Sequence, residues 1–511
     1  IDNGDFVLLT RCFLKGGEID RLLKAVKNGA GLVVLQPRPK FAAALGLSCR
    51  NELEYTCSLS SRYGKIQILT PLQLYSVPEN WEVVSRIDNK HSDAAIVSSK
   101  LEKGAVSVFF YDLPATVARL RFGDPALANY TSMGFTWEHY FDLAAGQIDE
   151  TALHLPQADI HSRLMAGEIQ KASPHFIPRL WYFEEVKYHT AIAFHSDGDS
   201  SVTKEYELLA DVLERCGGKT VFYLLTNDFT LHNMPPEEVE EFRRRGHEFG
   251  VHVNADRNGP DDLYFAYPEA IKQQSADFEK RYGEKSPTLQ AHCAPWLGYL
   301  EWAELHEKAG FRLLFAPLGF SKNTRKSWGQ YLFGSGRPLK FFDEREGIKD
   351  VWQQPTIFFD DASLTEMFAD EEFMCRRIDE TLENSMKYFF SSFGMLSHPC
   401  AFAQYSRKVM EHILNWMHKR QQPIYSGGQW LDYCDRRTAV MMQLDKDAVE
   451  IKKLNGKQVI LLPENAEDVN IDGRAITGTV KEIASERFMF IQLDSSRDGS
   501  NFKIKYSCRQ A

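Results

Sequence analysis

Phe194-His195-Ser196-Asp197-Gly198-Asp199-Ser200 closes the apolar run Thr190-Ala191-Ile192-Ala193-Phe194. Two carboxylates and an imidazole therefore stand on a turn where a buried strand hands over to a helix. Charge at a buried strand end is costly unless it is paired, so the cluster calls for a partner such as a metal ion or a bound ligand. The simpler alternative is that Asp199 or Ser200 only caps the helix expected at 202–216. Complementary groups at the ends of later strands would decide for chemistry.

Working outward, apolar runs at 190–196, 220–225, 248–253, 288–293, 311–317, 351–359, 394–398 and 423–426 read as strands, with amphipathic helical stretches at 235–245, 268–282, 299–309, 371–390 and 405–420 between them. This repeated alternation describes a (β/α) barrel, whose active site sits on the rim formed by the C-terminal strand ends. Four further clusters fall there. In Gly246–Asp256, His252 closes a strand and Asp256 follows four residues on, where a turn brings both to one ion; Asp256 as a plain loop acid is the alternative. In Gln290-Ala291-His292-Cys293-Ala294-Pro295-Trp296-Leu297-Gly298, Pro295 and Trp296 shape a pocket wall, and His292 either faces the pocket or sits in the core. Asp350–Pro355 places Trp352 on a strand, against a sugar or in the core. In Leu396-Ser397-His398-Pro399, His398 ends an apolar strand and is placed as a general acid.

These residues together resemble the polysaccharide deacetylase superfamily, the NodB-homology or carbohydrate esterase family 4 barrels. Asp197 and Asp199 match its first motif, Gly246–Asp256 its second, Pro295–Gly298 and Leu396–His398 its later ones, over residues 186–437. The resemblance implies a distorted (β/α) barrel that hydrolyses acetyl amides or esters on sugars with a divalent metal, usually zinc. It implies Asp197 as base and Asp199, His252 and Asp256 as metal ligands, with His398 as acid. His195, His292, Pro295, Trp296 and Trp352 would line the substrate site, the tryptophans as stacking surfaces. Two positions depart from the pattern. Asp256 stands where the family has its second metal histidine, which favours somewhat harder ions. Cys293 stands where it has an arginine that holds the base aspartate, so His292 is a candidate substitute.

The flanks read differently. Residues 1–140 show a β-α-β pattern, with strands at 6–10, 31–36, 65–69, 94–97 and 106–111, that favours a parallel, doubly wound sheet. They resemble the class I glutamine-amidotransferase-like fold. Cys12 lacks the flanking glycines of that family's nucleophile turn, and no base and acid accompany it, so a non-catalytic domain is expected. Residues 141–185 read as a connecting segment. Residues 438–511 alternate with turn signals at Asp472-Gly473 and Asp498-Gly499, as in a small β-sandwich-like accessory domain.

Composition bounds the partners. The 511 residues are too many for one ordinary domain, and 43% hydrophobic with 25% charged residues is globular usage. A net charge of −10 without a long basic run argues against nucleic acid. No apolar run approaches the ~18–20 residues that cross a membrane. Nine scattered cysteines without a CxxC pair read as small buried residues, a Cys49–Cys57 disulfide being left open. The chain begins at Ile1, which leaves room for an upstream export signal. With the glycan substrates that the resemblance implies, a periplasmic, cell-surface or extracellular location is expected.

The expectation is thus a metal-dependent carbohydrate deacetylase with an acetylated glycan as substrate. Two rivals stand beside it: a carbohydrate-binding protein on a retired deacetylase barrel, motivated by the two departures, and a hydrolase of a non-sugar C–N amide bond.

Overall fold

A computed structural model describes residues 5–10, 13–132, 138–226, 234–255, 260–319, 324–360, 370–445, 448–483 and 486–508. Its central sheet grows from the strand Ala191–Asp197, buried along its whole length. Its first four residues, Ala191–Phe194, are apolar, as burial on both faces demands, which suits parallel pairing beneath covering helices, and the polar His195, Ser196 and Asp197 come only at its C-terminal end. Parallel neighbours run in the order Leu313–Leu314, Thr288–Ala291, Glu248–Val253, Val221–Leu224, Ala191–Asp197, Ser392–Leu396 and Thr356–Phe359. The path then returns on itself. Thr356 N donates to Pro317 O at 2.8 Å and Gly319 N to Thr356 O at 2.9 Å, joining the last strand to the chain just past the first.

The returning helices are amphipathic for that reason. Thr203–Arg215 buries Tyr206, Leu209, Ala210, Val212 and Leu213, and Arg407–Lys419 buries Val409, Met410, Ile413, Leu414, Trp416 and Met417, in each case one stripe facing the sheet. The helix expected at 268–282 begins earlier, at Pro260, and carries Pro268 in its interior.

Two elements differ from expectation in ways that matter for the site. The single strand expected at 351–359 is two. Gly347–Gln353 pairs with Leu313–Leu314 and, antiparallel, with Leu339–Asp343, whereas Thr356–Phe359 pairs with Ser392–Leu396. Pro355 lies at the break, where a residue without an N–H cannot continue a ladder. The C-terminal region also differs at one of its expected turns. Ala448–Pro463 and Glu486–Cys508 are long strands, the second continuing through the expected turn at Asp498-Gly499, within an antiparallel network of seven among the described residues that includes Arg179–Leu180. Left-handed Lys453 and Gly456 mark register shifts that bend the strand without ending it.

The N-terminal sheet corrects the expectation of a parallel array. Phe6–Thr10, Gly31–Leu35 and Gly104–Phe109 are parallel, but Ala94–Leu101 and Glu82–Arg86 are antiparallel. Leu101 pairs with Gly104, leaving only Glu102 and Lys103 in the turn, and a two-residue connection can join only antiparallel strands. Gly64–Ile68 forms a separate hairpin with Cys57–Ser61. The helix Gln157–Ala172, in the segment read as a connector, packs against this N-terminal layer. His161 meets Tyr111 Oη through Nδ1 at 2.9 Å and Gln67 O through Nε2 at 2.8 Å, and Ser107 Oγ donates to Glu168 Oε2 at 2.7 Å. Cys49 and Cys57 are free thiols.

His161 and His306 are fully buried, and burial pushes both imidazoles down to about 4 from an ordinary 6.5. The unfolded chain takes up these protons near 6.5 and the folded chain only near 4. Their contribution to stability is therefore complete above about 6.5 and is lost as the pH falls toward 4, at about 1.4 kcal/mol per pH unit for each histidine. Urea unfolding of the wild type between pH 7.5 and 4.5 should show this loss, and His161→Gln should flatten the slope by about one histidine's share.

Candidate functional site

The register brings the C-terminal strand ends to one level, with Asp197 opposite Tyr223, His252 opposite Gln290 and His195 opposite Leu396. The turn after Asp197 is tight. Gly198 N donates to Tyr223 O at 2.8 Å, and a Cβ at Gly198 would lie 2.2 Å from Tyr206 Oη, so only glycine fits between the two aspartates. Asp199 then takes a left-handed conformation, φ 35°, which short polar side chains tolerate better than most. This swings its carboxylate between two imidazoles. Asp199 Oδ1 lies 3.1 Å from His252 Nε2, and Oδ2 lies 3.4 Å from His398 Nε2. Asp197 stays deeper, its Oδ2 3.9 Å from His252 Nε2.

The far nitrogens of both rings are committed. His252 Nδ1 faces Gln290 O at 3.2 Å, so this ring has an acceptor at each nitrogen. A neutral imidazole carries one proton and satisfies only one of them. Two acceptors on one imidazole are the arrangement that a cation between ring and carboxylate resolves, and a backbone carbonyl on the far nitrogen is a usual companion of a metal-bound histidine. Asp199 and His252 could thus hold a divalent ion. Asp256, the third expected ligand, lies outside the described residues. Among the described residues no group of three or more histidine, cysteine or carboxylate side chains is arranged to hold an ion.

His398 is held differently. Its Nδ1 donates to Asp360 Oδ1 at 2.8 Å, while Asp360 Oδ2 accepts from His398 N at 2.9 Å, Ser397 Oγ at 2.8 Å and Ser406 Oγ at 3.2 Å. Burial disfavours the imidazolium, but the charges of Asp360, Asp199 and Asp197 outweigh it and raise His398 well above its ordinary range. Burial likewise opposes ionisation of Asp199 and Asp197. The neighbouring imidazoles of His252 and His398 nevertheless hold Asp199 well below the usual carboxylate range, and those of His252 and His195 lower Asp197. The rim therefore pairs ionised carboxylates with a protonated histidine. Asp360 was missed by the sequence reading. Its one signal is that, like Asp197, it ends a buried apolar strand, Thr356–Phe359.

The remaining expected residues divide. His292 is brought to the site, half-buried, with its ring 5.5 Å from that of His252. Beside it Cys293 is exposed, and both Cys293 and Ala294 are left-handed at φ 60° and 45°. Pro295 bridges to His139, so this wall packs on the 138–144 segment. Trp296 is corrected: it is fully buried between Tyr140 and Phe341, at 4.6 and 5.3 Å, which leaves no ring face for a sugar. Trp352 is corrected too. It pairs with Leu313 at the N-terminal end of the parallel strands, its Nε1 donates to Asp435 Oδ1 at 3.0 Å, and it belongs to the apolar cluster at that opposite end. His195 is fully buried below Asp197, stacked on Phe315 at 4.1 Å, out of reach of a substrate.

No family model matches the sequence, and no curated protein matches it. Among solved structures, one described as a polysaccharide deacetylase from Mycobacterium smegmatis shares 14% identity over 53% of this chain and 97% of its own, with a TM-score of 0.38. Another so described, from Pseudomonas aeruginosa PAO1, shares 9% over 50% of this chain and 93% of its own, with a TM-score of 0.35. An exo-β-1,4-mannosidase from Opitutaceae bacterium strain TAV5 shares 14% over 22% of this chain, with a TM-score of 0.19, and the chain spans only 21% of that protein. Likeness at this level carries no chemistry, which the side-chain geometry has to supply.

Asp360→Asn removes the charge nearest His398 while keeping an acceptor for Ser397. The imidazole should then titrate at lower pH than in the wild type, as read by NMR of nitrogen-labelled histidine. An unchanged titration would mean that Asp360 does not set the state of His398.

Proposed function

We propose that the chain is a metal-dependent hydrolase that removes acetyl groups from a sugar or polysaccharide. The observation that carries this reading is the meeting of Asp197, Asp199, His252 and His398, from strand ends far apart in sequence, in a geometry that holds a carboxylate base, a cation-ready pair and a protonated histidine within one rim. The strand path closed through Thr356 supports reading residues 186–437 as a distorted (β/α) barrel with its site on that rim. We read the N-terminal layer as a non-catalytic glutamine-amidotransferase-like domain, and Cys12 lies outside the described residues.

Asp199 and His252 would hold a divalent ion, zinc first, with Asp256 as third ligand. When bound, such an ion polarises the acyl carbonyl and makes water acidic enough to lose a proton near neutral pH. The residues of the chain do the rest. Asp197, ionised though buried, accepts the proton of the attacking water. His398 carries a proton on Nε2 at the rim and delivers it to the leaving nitrogen or oxygen. Asp360 keeps the ring oriented through Nδ1 and stabilises its imidazolium form before transfer. The buried floor under Asp197 limits the water that reaches it from below.

One observation favours a second reading, hydrolysis of a non-sugar C–N amide: neither tryptophan expected to stack on a sugar faces the rim. A panel of acetylated oligosaccharides and acylated non-sugar amines separates the two. Metal-stripped protein should be inactive, and zinc, cobalt or nickel should restore acetate release from the oligosaccharides. Restored turnover of the amines alone would establish the second reading. Saturable glycan binding without release under any metal would leave a binding protein.

Asp197→Asn should lower kcat about 10²–10⁴-fold, the usual worth of a general base, with metal uptake and KM retained. Near-normal kcat in this variant would remove Asp197 from the base role.

A further inference from the structure

His195 lies beneath the base, at a position where substrate cannot touch it. Its Nδ1 is 3.8 Å from Asp197 Oδ1, and its Nε2 is 3.1 Å from Thr356 Oγ1. Both His195 Nδ1 and Asp197 Oδ1 are buried without a hydrogen-bond partner among the described residues. A buried carboxylate oxygen and a buried ring nitrogen left unpaired side by side each forfeit a strong interaction that a small rotation would make. The ring has little freedom to rotate elsewhere, because Phe315 covers one face at 4.1 Å and Tyr223 stands edge-on at 6.3 Å.

Proton positions follow from the partners. Thr356 Oγ1 has one proton and two acceptors in reach, His195 Nε2 and Phe315 O, each at 3.1 Å. If the hydroxyl serves Phe315, Nε2–H has to donate to Oγ1, and a singly protonated ring then turns a lone pair toward Asp197. If the hydroxyl serves Nε2, the ring proton sits on Nδ1 and faces the carboxylate. Only the second arrangement pairs every buried atom of the His195–Asp197 contact, and a charge-assisted bond to carboxylate outweighs the neutral bond that Phe315 O gives up.

We infer that Thr356, His195 and Asp197 form a relay in which the Thr356 hydroxyl fixes the His195 tautomer and His195 Nδ1–H positions the Asp197 carboxylate. It would do the work of the arginine that the family resemblance leads one to expect at Cys293, and it makes His195 a positioning residue, not a substrate contact. This rests on the proposed hydrolase reading for its kinetic consequence, though not for its geometry.

Substitutions that separate the two ring nitrogens test it. Asparagine puts an amide N–H near the place of Nδ1, whereas glutamine reaches the place of Nε2. His195→Asn should keep kcat within about fivefold of wild type. His195→Gln and His195→Phe should lose about 100-fold in kcat with KM and metal uptake unchanged, the scale expected when a catalytic group is misplaced by about an ångström. Thr356→Val should lose kcat in the same sense and add little to His195→Gln. Equal activity of the Asn and Gln variants, or wild-type activity in His195→Phe, would overturn the relay.

A second readout needs no turnover. In nitrogen-labelled wild-type protein, His195 should be protonated at Nδ1, and Thr356→Val should move the proton toward Nε2. An Nε2-protonated His195 in the wild type would overturn the relay even if the protein hydrolyses no acyl substrate. Inactivity of the wild type on every substrate would count against the hydrolase reading and leave this spectroscopic result standing.

Discussion

The Asp199 carboxylate, held between His252 and His398, is the interaction on which the rim depends. It joins side chains that start from three different strand ends, and it forms only because the parallel register sets those ends at one height. A slip of one residue in any of these strands would turn Asp197 or His252 from the interior to the helix side, since side chains alternate along a strand. The left-handed turn at Asp199, made possible by Gly198 pressed against Tyr206 and Tyr223, completes the geometry.

The two ends of the strands are built to opposite specifications. At the C-terminal ends, charges face one another and find partners in pairs: Asp360 takes four donors, and Asp199 takes two rings. At the N-terminal ends, Ala191, Ala193, Val221, Leu313, Trp430 and Tyr433 belong to an apolar cluster that also takes in Val459, Phe488 and Phe490 of the C-terminal sheet. Sealing one end against water is what lets the other hold a buried histidine and aspartate without flooding. The C-terminal sheet thereby contributes to the site from a distance, through packing.

The candidate residues that the structure brings together and the sequence already showed share one property: Asp197, His252 and His398 each close an apolar run, where an unpartnered polar group is costly. Asp360 has the same property but precedes a second acid, Asp361, and such a pair reads as a solvated turn. Trp296 was misread because proline, tryptophan and glycine after a strand look alike whether the ring faces solvent or is covered. What covers it, Tyr140 and Phe341, lies far away along the chain. Trp352 was misread because it opens the run read at 351–359, and the start of a strand lies at the end opposite the rim, where the structure pairs it with Leu313.

The sequence by itself determined the alternation of strands and helices, the strand ends that carry charge, and the glycine between the two aspartates, because each follows from local burial and backbone freedom. Only the tertiary structure decided which charges meet, that Asp360 serves His398, that His195 lies under Asp197 against Thr356, and that the N-terminal sheet is mixed. Those outcomes depend on register and on which distant segment covers a given face, and neither is written in the spacing of residues along one strand.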